Sequence, residues 1–334
     1  ASESDQFMLW GRELEDGAEA LNAYLNDEFD LFLSELNADP GSADITPQQA
    51  TVRWYRHIFR HLLYGKIRGY FRNSGEVEAY PPRDEDIGML KYQRMSIFRS
   101  RGSFPWILPM SRNIRLGDIY LGTDKVSHML GYGRRYFVRY WEYRGDGLTD
   151  REAKEKVIRW GMFQEMSVVG RVVDGVVSYG DLEANYQGMI FGLDACCSED
   201  PLLTRRAGKW VKTRDVDLVK YVTPDMDESY NTAHYWLMRK KLVLPVIKED
   251  YIPMLDSPEV QDRFAVYDTY PKSLNMQLIE LWLAEKGRNP KELQALRALH
   301  NQVATVTGAH EEGGDGDRHR LDAAGRSQGS GDLP

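Results

Sequence analysis

The chain has 334 residues, 42% hydrophobic and 28% charged, with a net charge of -8. That is long and apolar enough to bury a core and unlike a disordered polymer. The acidic balance gives no general attraction for nucleic acid or anionic lipid, which sets nucleic acid aside as a partner, and no run approaches the roughly 18–20 apolar residues that cross a bilayer.

Helix signals dominate from the start. Leu21, Tyr24, Leu25, Phe29, Phe32, Leu33 and Leu36 recur at helical spacing, which predicts one amphipathic helix. Thr46-Pro47-Gln48-Gln49 has the chemistry of a helix start, with an N-cap hydroxyl, a proline in the first turn and a capping-box Gln, and predicts a second long helix over 51–71. Residues 74–118 are rich in Pro, Gly and Arg and read as loops, with a short helix around 84–99 and an extended piece at 114–120. Thr123 is placed to cap a helix running to about Trp141, ended by Gly145-Asp146-Gly147. Thr149 and Glu152 form a capping box for a helix to about Val169, and Ser178 caps another through about Ala195. The β-branched stretch between them, VVGRVVDGVVSYGD, reads as a loop or short hairpin. Beyond about 200, prolines separate short helices before a closing pair, PKSLNMQLIELWLAEKG and NPKELQALRALHNQVATV.

The fold expected is therefore mainly α: a compact multi-helix bundle with long irregular loops, one domain over 1–306 with a core at 119–195, and a disordered Gly-rich C-terminal tail over 307–334. Cys196 and Cys197 are adjacent, and so short a loop rarely suits relaxed disulfide geometry, so they leave the redox compartment open. A start at Ala1 suits a mature product whose secretion signal has been removed, and a trimmed chain equally well.

Three of the predicted helices carry polar residues that amphipathic packing alone does not call for. Asp124 and His128 share a face, with Lys125 one step round, among Val126, Met129 and Leu130. Glu165 is flanked by Trp160, Met162, Phe163 and Met166, company in which a carboxylate is paired or has a raised pKa. Asp181, Asn185 and Gly188 form one stripe after Ser178, the glycine allowing close approach of a helix or a ligand. The plainer readings stand beside these: Asp124 and Asp181 serve helix N-termini, His128 is a satisfied core histidine, and Glu165 pairs with a nearby cation.

In order, GTDKVSHMLGYG, GMFQEMSVVG and GVVSYGDLEANYQGMIFG resemble the pattern shared by the YfiM-type periplasmic lipoproteins and the VanZ-like membrane proteins. Asp124, Lys125 and His128 match its first block, Glu165 its second, and Ser178, Asp181, Asn185 and Gly188 its third. The resemblance covers about residues 119–195. Val168 stands where the family usually carries Asp or Gln, and YGRRYFVRYWEYRG is too polar for lipid. The resemblance implies a bacterial periplasmic or secreted protein, peripheral to the membrane at most, and leaves the reaction and the oligomeric state open.

Three functions follow from these residues. The first is a cell-envelope hydrolase or lyase acting on a glycan such as peptidoglycan: Glu165 is general acid or base, Asp181 the second carboxylate, Asp124 and His128 orient each other, and Lys125, Asn185, Ser178, Tyr132 and Tyr186 bind substrate. It needs no cofactor. The second adds a divalent metal on Asp124, His128, Glu165 and Asp181 for hydrolysis of a phosphoester or a lipid-linked phosphate. The third is a non-catalytic envelope scaffold or partner-binding protein, the polar cluster fastening the helices.

Overall fold

The computed structural model describes residues 3–59, 65–83, 88–99, 110–166 and 175–285. In chain order the elements are α1 (Ala18–Ala38), α2 (Pro47–Ile58), α3 (Lys66–Asn73), α4 (Met89–Met95), β1 (Asn113–Leu116), β2 (Ile119–Gly122), α5 (Thr123–Gly145), α6 (Asp150–Gln164), β3 (Val176–Val177), α7 (Tyr179–Cys197), β4 (Leu203–Arg206), β5 (Lys209–Lys212), β6 (His234–Tyr235), α8 (Leu237–Val246), α9 (Pro258–Tyr267) and α10 (Leu274–Glu285). The strands form three antiparallel ribbons of two strands each, β1 with β2, β3 with β6 and β4 with β5, so the fold is mainly α. Residues 1–290 make one compact unit. The second closing helix and the 307–334 tail lie outside the described residues.

α5 and α7 form the centre, and glycine decides how closely they approach. A Cβ on Gly133 would meet the Cα of Gly188 at 2.7 Å, and one on Gly188 would meet the carbonyl oxygen of Met129 at 2.1 Å. No residue but glycine fits this crossing without backbone movement. The Tyr55 hydroxyl of α2 donates to the Gly188 carbonyl, tying a third helix to the crossing. α6 closes on the same centre, where Gly161 makes room for the Tyr136 hydroxyl, 1.7 Å from the position of a Cβ. Phe29, Trp54, Tyr55, Phe137, Met129 and Met189 are each buried to 1% exposure or less in one continuous core.

Local signals account for the starts of α2, α6 and α7. The Thr46 and Thr149 capping boxes form with both reciprocal hydrogen bonds, and the Ser178 side chain accepts from the Asp181 amide at 2.9 Å. Four expectations are corrected. The single helix over 51–71 is two, because Phe59 leaves helical geometry and Gly65, costly inside a helix, adopts an extended conformation that starts α3. Gly122, not Thr123, is the N-cap of α5, since the β2 strand runs directly into the helix. Val176 and Val177, expected in a loop or short hairpin, pair with Tyr235 and His234, while residues 168–174 of that stretch lie outside the described residues. Cys196 and Cys197 are bonded to each other in the last turn of α7, where the chain passes from helix to an extended Ser198.

Candidate functional site

The β1–β2 hairpin delivers the chain into the first turn of α5, and that turn places Lys125 where nothing of it reaches solvent. Its ammonium donates to Asp124 Oδ2 at 2.8 Å, Asp181 Oδ1 at 2.7 Å and Glu228 Oε1 at 2.7 Å, which uses all three of its N–H bonds. Burial opposes this charge, but Asp124, Asp181 and Glu228 together hold the ammonium well above the usual lysine range. The carboxylates respond unequally. Burial pushes Asp181 up, but His128 and Lys125 outweigh it and leave Asp181 below the ordinary range. Burial raises Glu228, Lys125 opposes it, and the neighbouring charges of Asp181 and Asp124 raise it further, so it ends above the ordinary range. One cation thus serves three acids, with Glu228 more ready to take a proton than Asp181.

His128 extends this knot. Its Nε2 lies 3.2 Å from Asp181 Oδ2 and its Nδ1 3.0 Å from Asn185 Oδ1, so neither ring nitrogen is left for a ligand. Tyr132 stacks on the ring at a centroid distance of 5.1 Å and carries the arrangement toward the surface, where the Arg135 guanidinium covers its outer side. Ser178 works from the N-terminus of α7: its Oγ accepts from the Asp181 amide and donates to Glu228 Oε1. Asp124 Oδ1 is buried with no hydrogen-bond partner among the described residues.

The chain's first described residues seal the knot from one side. Gln6 accepts from the Glu228 amide at 3.2 Å and donates to Ser4 Oγ at 2.8 Å and Asn113 Oδ1 at 3.2 Å. Asn113 in turn donates to the Asp5 carbonyl at 2.7 Å. Asp5 itself accepts from the amides of Ile97 and Phe7, yet burial pushes its carboxyl up to about 7, against those amides and with the charge of Glu228 adding to the rise.

Of the residues expected at a site, Asp124, Lys125, His128, Ser178, Asp181 and Asn185 converge, each no more than 6% exposed. Glu165 stands outside them. It is half-buried just past the end of α6, and it accepts the Ser178 amide at 3.4 Å. Tyr186 is a core residue and offers substrate no surface. The proposed metal set is also revised: its two buried carboxylates turn toward the Lys125 ammonium, and among the described residues no group of three or more His, Cys, Asp or Glu is arranged to hold an ion.

Sequence reasoning missed Glu228, Gln6 and Asn113. The signal for Glu228 was three acids within 225–228 in a stretch without helical period, and all three are buried. It also missed Glu183, fully buried on α7, which accepts from Gln187 at 2.7 Å, Thr223 at 3.3 Å, Ser273 at 2.7 Å and Asn275 at 3.0 Å and so fastens α10 to α7. Compared with known proteins, the chain matches no family model, no curated protein and no solved structure.

Proposed function

We propose that the chain is a cell-envelope protein, periplasmic or secreted, that binds its partner without turning it over, and that the Lys125 knot is its internal fastener. The observation that carries this reading is saturation: Lys125 is at 0% exposure with every donor met, and both nitrogens of His128 are engaged. A group that must exchange protons with substrate needs at least one open position, whereas a fastener needs none. The knot joins four stretches distant in the chain, residues 4–6, α5, α7 and the 225–229 turn, so its formation coincides with assembly of the core. Two features support the compartment: the resemblance to periplasmic lipoproteins over 119–195, and the Cys196–Cys197 bond, a form of cysteine that persists under oxidising conditions. The partners of choice are an envelope polysaccharide or a lipid-linked molecule, met at the surface of the bundle.

A second reading, glycan cleavage with Glu165 as general acid or base, draws on one observation: of the three carboxylates expected to act, Glu165 is the one that solvent reaches, and Ser178 links it to the knot. The test incubates the purified full chain and its Glu165→Gln variant with peptidoglycan sacculi and measures soluble fragments. The binding reading expects none from either protein. Release by the native chain that disappears in Glu165→Gln would establish the second reading and overturn the first.

A further inference from the structure

Away from the knot, α2 and α5 line a groove whose charge runs against that of the chain. Three adjoining cavities of about 480, 580 and 300 Å³ all share Arg56, and their walls carry Arg53 and Arg56 from α2 with Arg134, Arg135 and Arg139 from α5. The spacing explains the convergence. Arg53 and Arg56 are three apart on one helix and Arg135 and Arg139 four apart on the other, so each pair presents one face.

The acids nearby do not neutralise this set. Asp39 pairs with Arg53 at 2.6 Å, Glu142 with Arg139 at 2.9 Å, and Glu35 lies 3.0 Å from His57. Arg56, Arg134 and Arg135 have no carboxylate within 4 Å among the described residues. Arg134 is half-buried, and burial, then the like charges of Arg56 and Arg135, hold its guanidinium below the usual arginine range. Like charges gathered beside an apolar floor of Val52, Val138, Trp141 and Trp160 are costly in the empty protein and favourable once an anion lies between them.

We propose that this groove binds a phosphate-bearing amphiphile, its phosphate held between Arg56 and Arg134 and its apolar part laid along Val138 and Trp141. The guanidinium fork suits a tetrahedral anion by paired N–H bonds, and cavities of this size suit a small ligand. The phosphate belongs either to a lipid headgroup at a membrane surface or to a soluble phosphate ester. The site uses no residue of the knot, so results on Lys125 or Glu165 leave it untouched.

The test uses the full chain. Binding is measured by co-sedimentation with phosphatidylcholine vesicles with and without phosphatidylglycerol, and by tryptophan fluorescence during titration with inorganic phosphate and glycerol 3-phosphate. Binding to the phosphatidylglycerol vesicles alone assigns the headgroup, and saturable binding of the soluble phosphates without vesicle binding assigns the ester. In either case Arg56→Gln combined with Arg134→Gln lowers affinity at least about tenfold, while the thermal midpoint holds or rises because repulsion is relieved. Should that double variant fail to fold, Arg56→Lys, which keeps the charge without the fork, is read instead and binds several-fold more weakly. No binding of any phosphate probe, or equal affinity in native and variant proteins, overturns the proposal.

Discussion

Replacing Lys125 by Met keeps most of the side chain's volume and removes only the charge and its three donors. In the native protein those donors meet oxygens at 2.7–2.8 Å, and the pocket is closed to water. Removing one partner of a buried ion pair costs about 3–5 kcal/mol, and here three carboxylates lose their common cation, so the expected loss is about 5 kcal/mol at pH 7.5. The pH dependence follows from the same geometry. Without the ammonium, Asp181 and Glu228 lose the charge that lowers them against their burial, and their folded-state pKa values lie above the unfolded ones. The variant then loses stability as pH climbs above about 4, so the gap to the native protein is smaller at pH 5 than at pH 7.5. Glu228→Gln supplies the contrast: Glu228 is already the acid with the raised pKa, and an amide oxygen still accepts from Lys125, so this change costs about 1 kcal/mol. Urea unfolding at both pH values measures all three proteins. A Lys125→Met loss below about 2 kcal/mol, or one unchanged between pH 5 and 7.5, would refute the claim that the ammonium holds the knot.

Gly188→Ala forces a methyl group to within 2.1 Å of the Met129 carbonyl and should cost about 3 kcal/mol, read as a drop in thermal midpoint; a midpoint within error of native would mean that α5 and α7 do not pack on this glycine. Asp5, with a folded-state value of about 7 against 3.8 unfolded, contributes stability that is complete below about pH 4 and is lost as pH rises through 7, a span worth about 4 kcal/mol. Asp5→Asn removes that decline, so the variant's unfolding free energy relative to native rises between pH 5 and pH 8, and parallel curves would show that Asp5 does not titrate in the folded state. Asp181 acts in the opposite sense: its lowered value contributes stability present above pH 3.8 and lost as pH falls through the folded-state value, so Asp181→Asn flattens the acid limb of the native unfolding curve.

Much of the architecture was legible because it is locally encoded. Thr46, Thr149 and Ser178 mark helix starts with their own side chains, and the four-residue spacing of Asp124 with His128 and of Asp181 with Asn185 put the knot's core on facing helices. What escaped depends on contacts distant in sequence. Glu228 and Gln6 lie in segments without periodicity, and only the folded chain brings them to Lys125, 103 residues from Glu228. The break at Phe59 was hidden because Gly65 inside an amphipathic pattern signals a tolerated residue as readily as a new helix start. Glu165 misled for a related reason: apolar neighbours in sequence need not be buried, and here Phe163 is 66% exposed while Trp160, Glu165 and Met166 are half-buried, a difference that composition does not record.

The claim beneath the rest is that the knot is sealed in the native state, and amine reactivity tests it most directly. Brief acetylation of the folded full chain, followed by peptide mass mapping, should label exposed lysines such as Lys209 while Lys125 reacts only after denaturation. Modification of Lys125 in the folded protein at the pace of Lys209 would contradict the account.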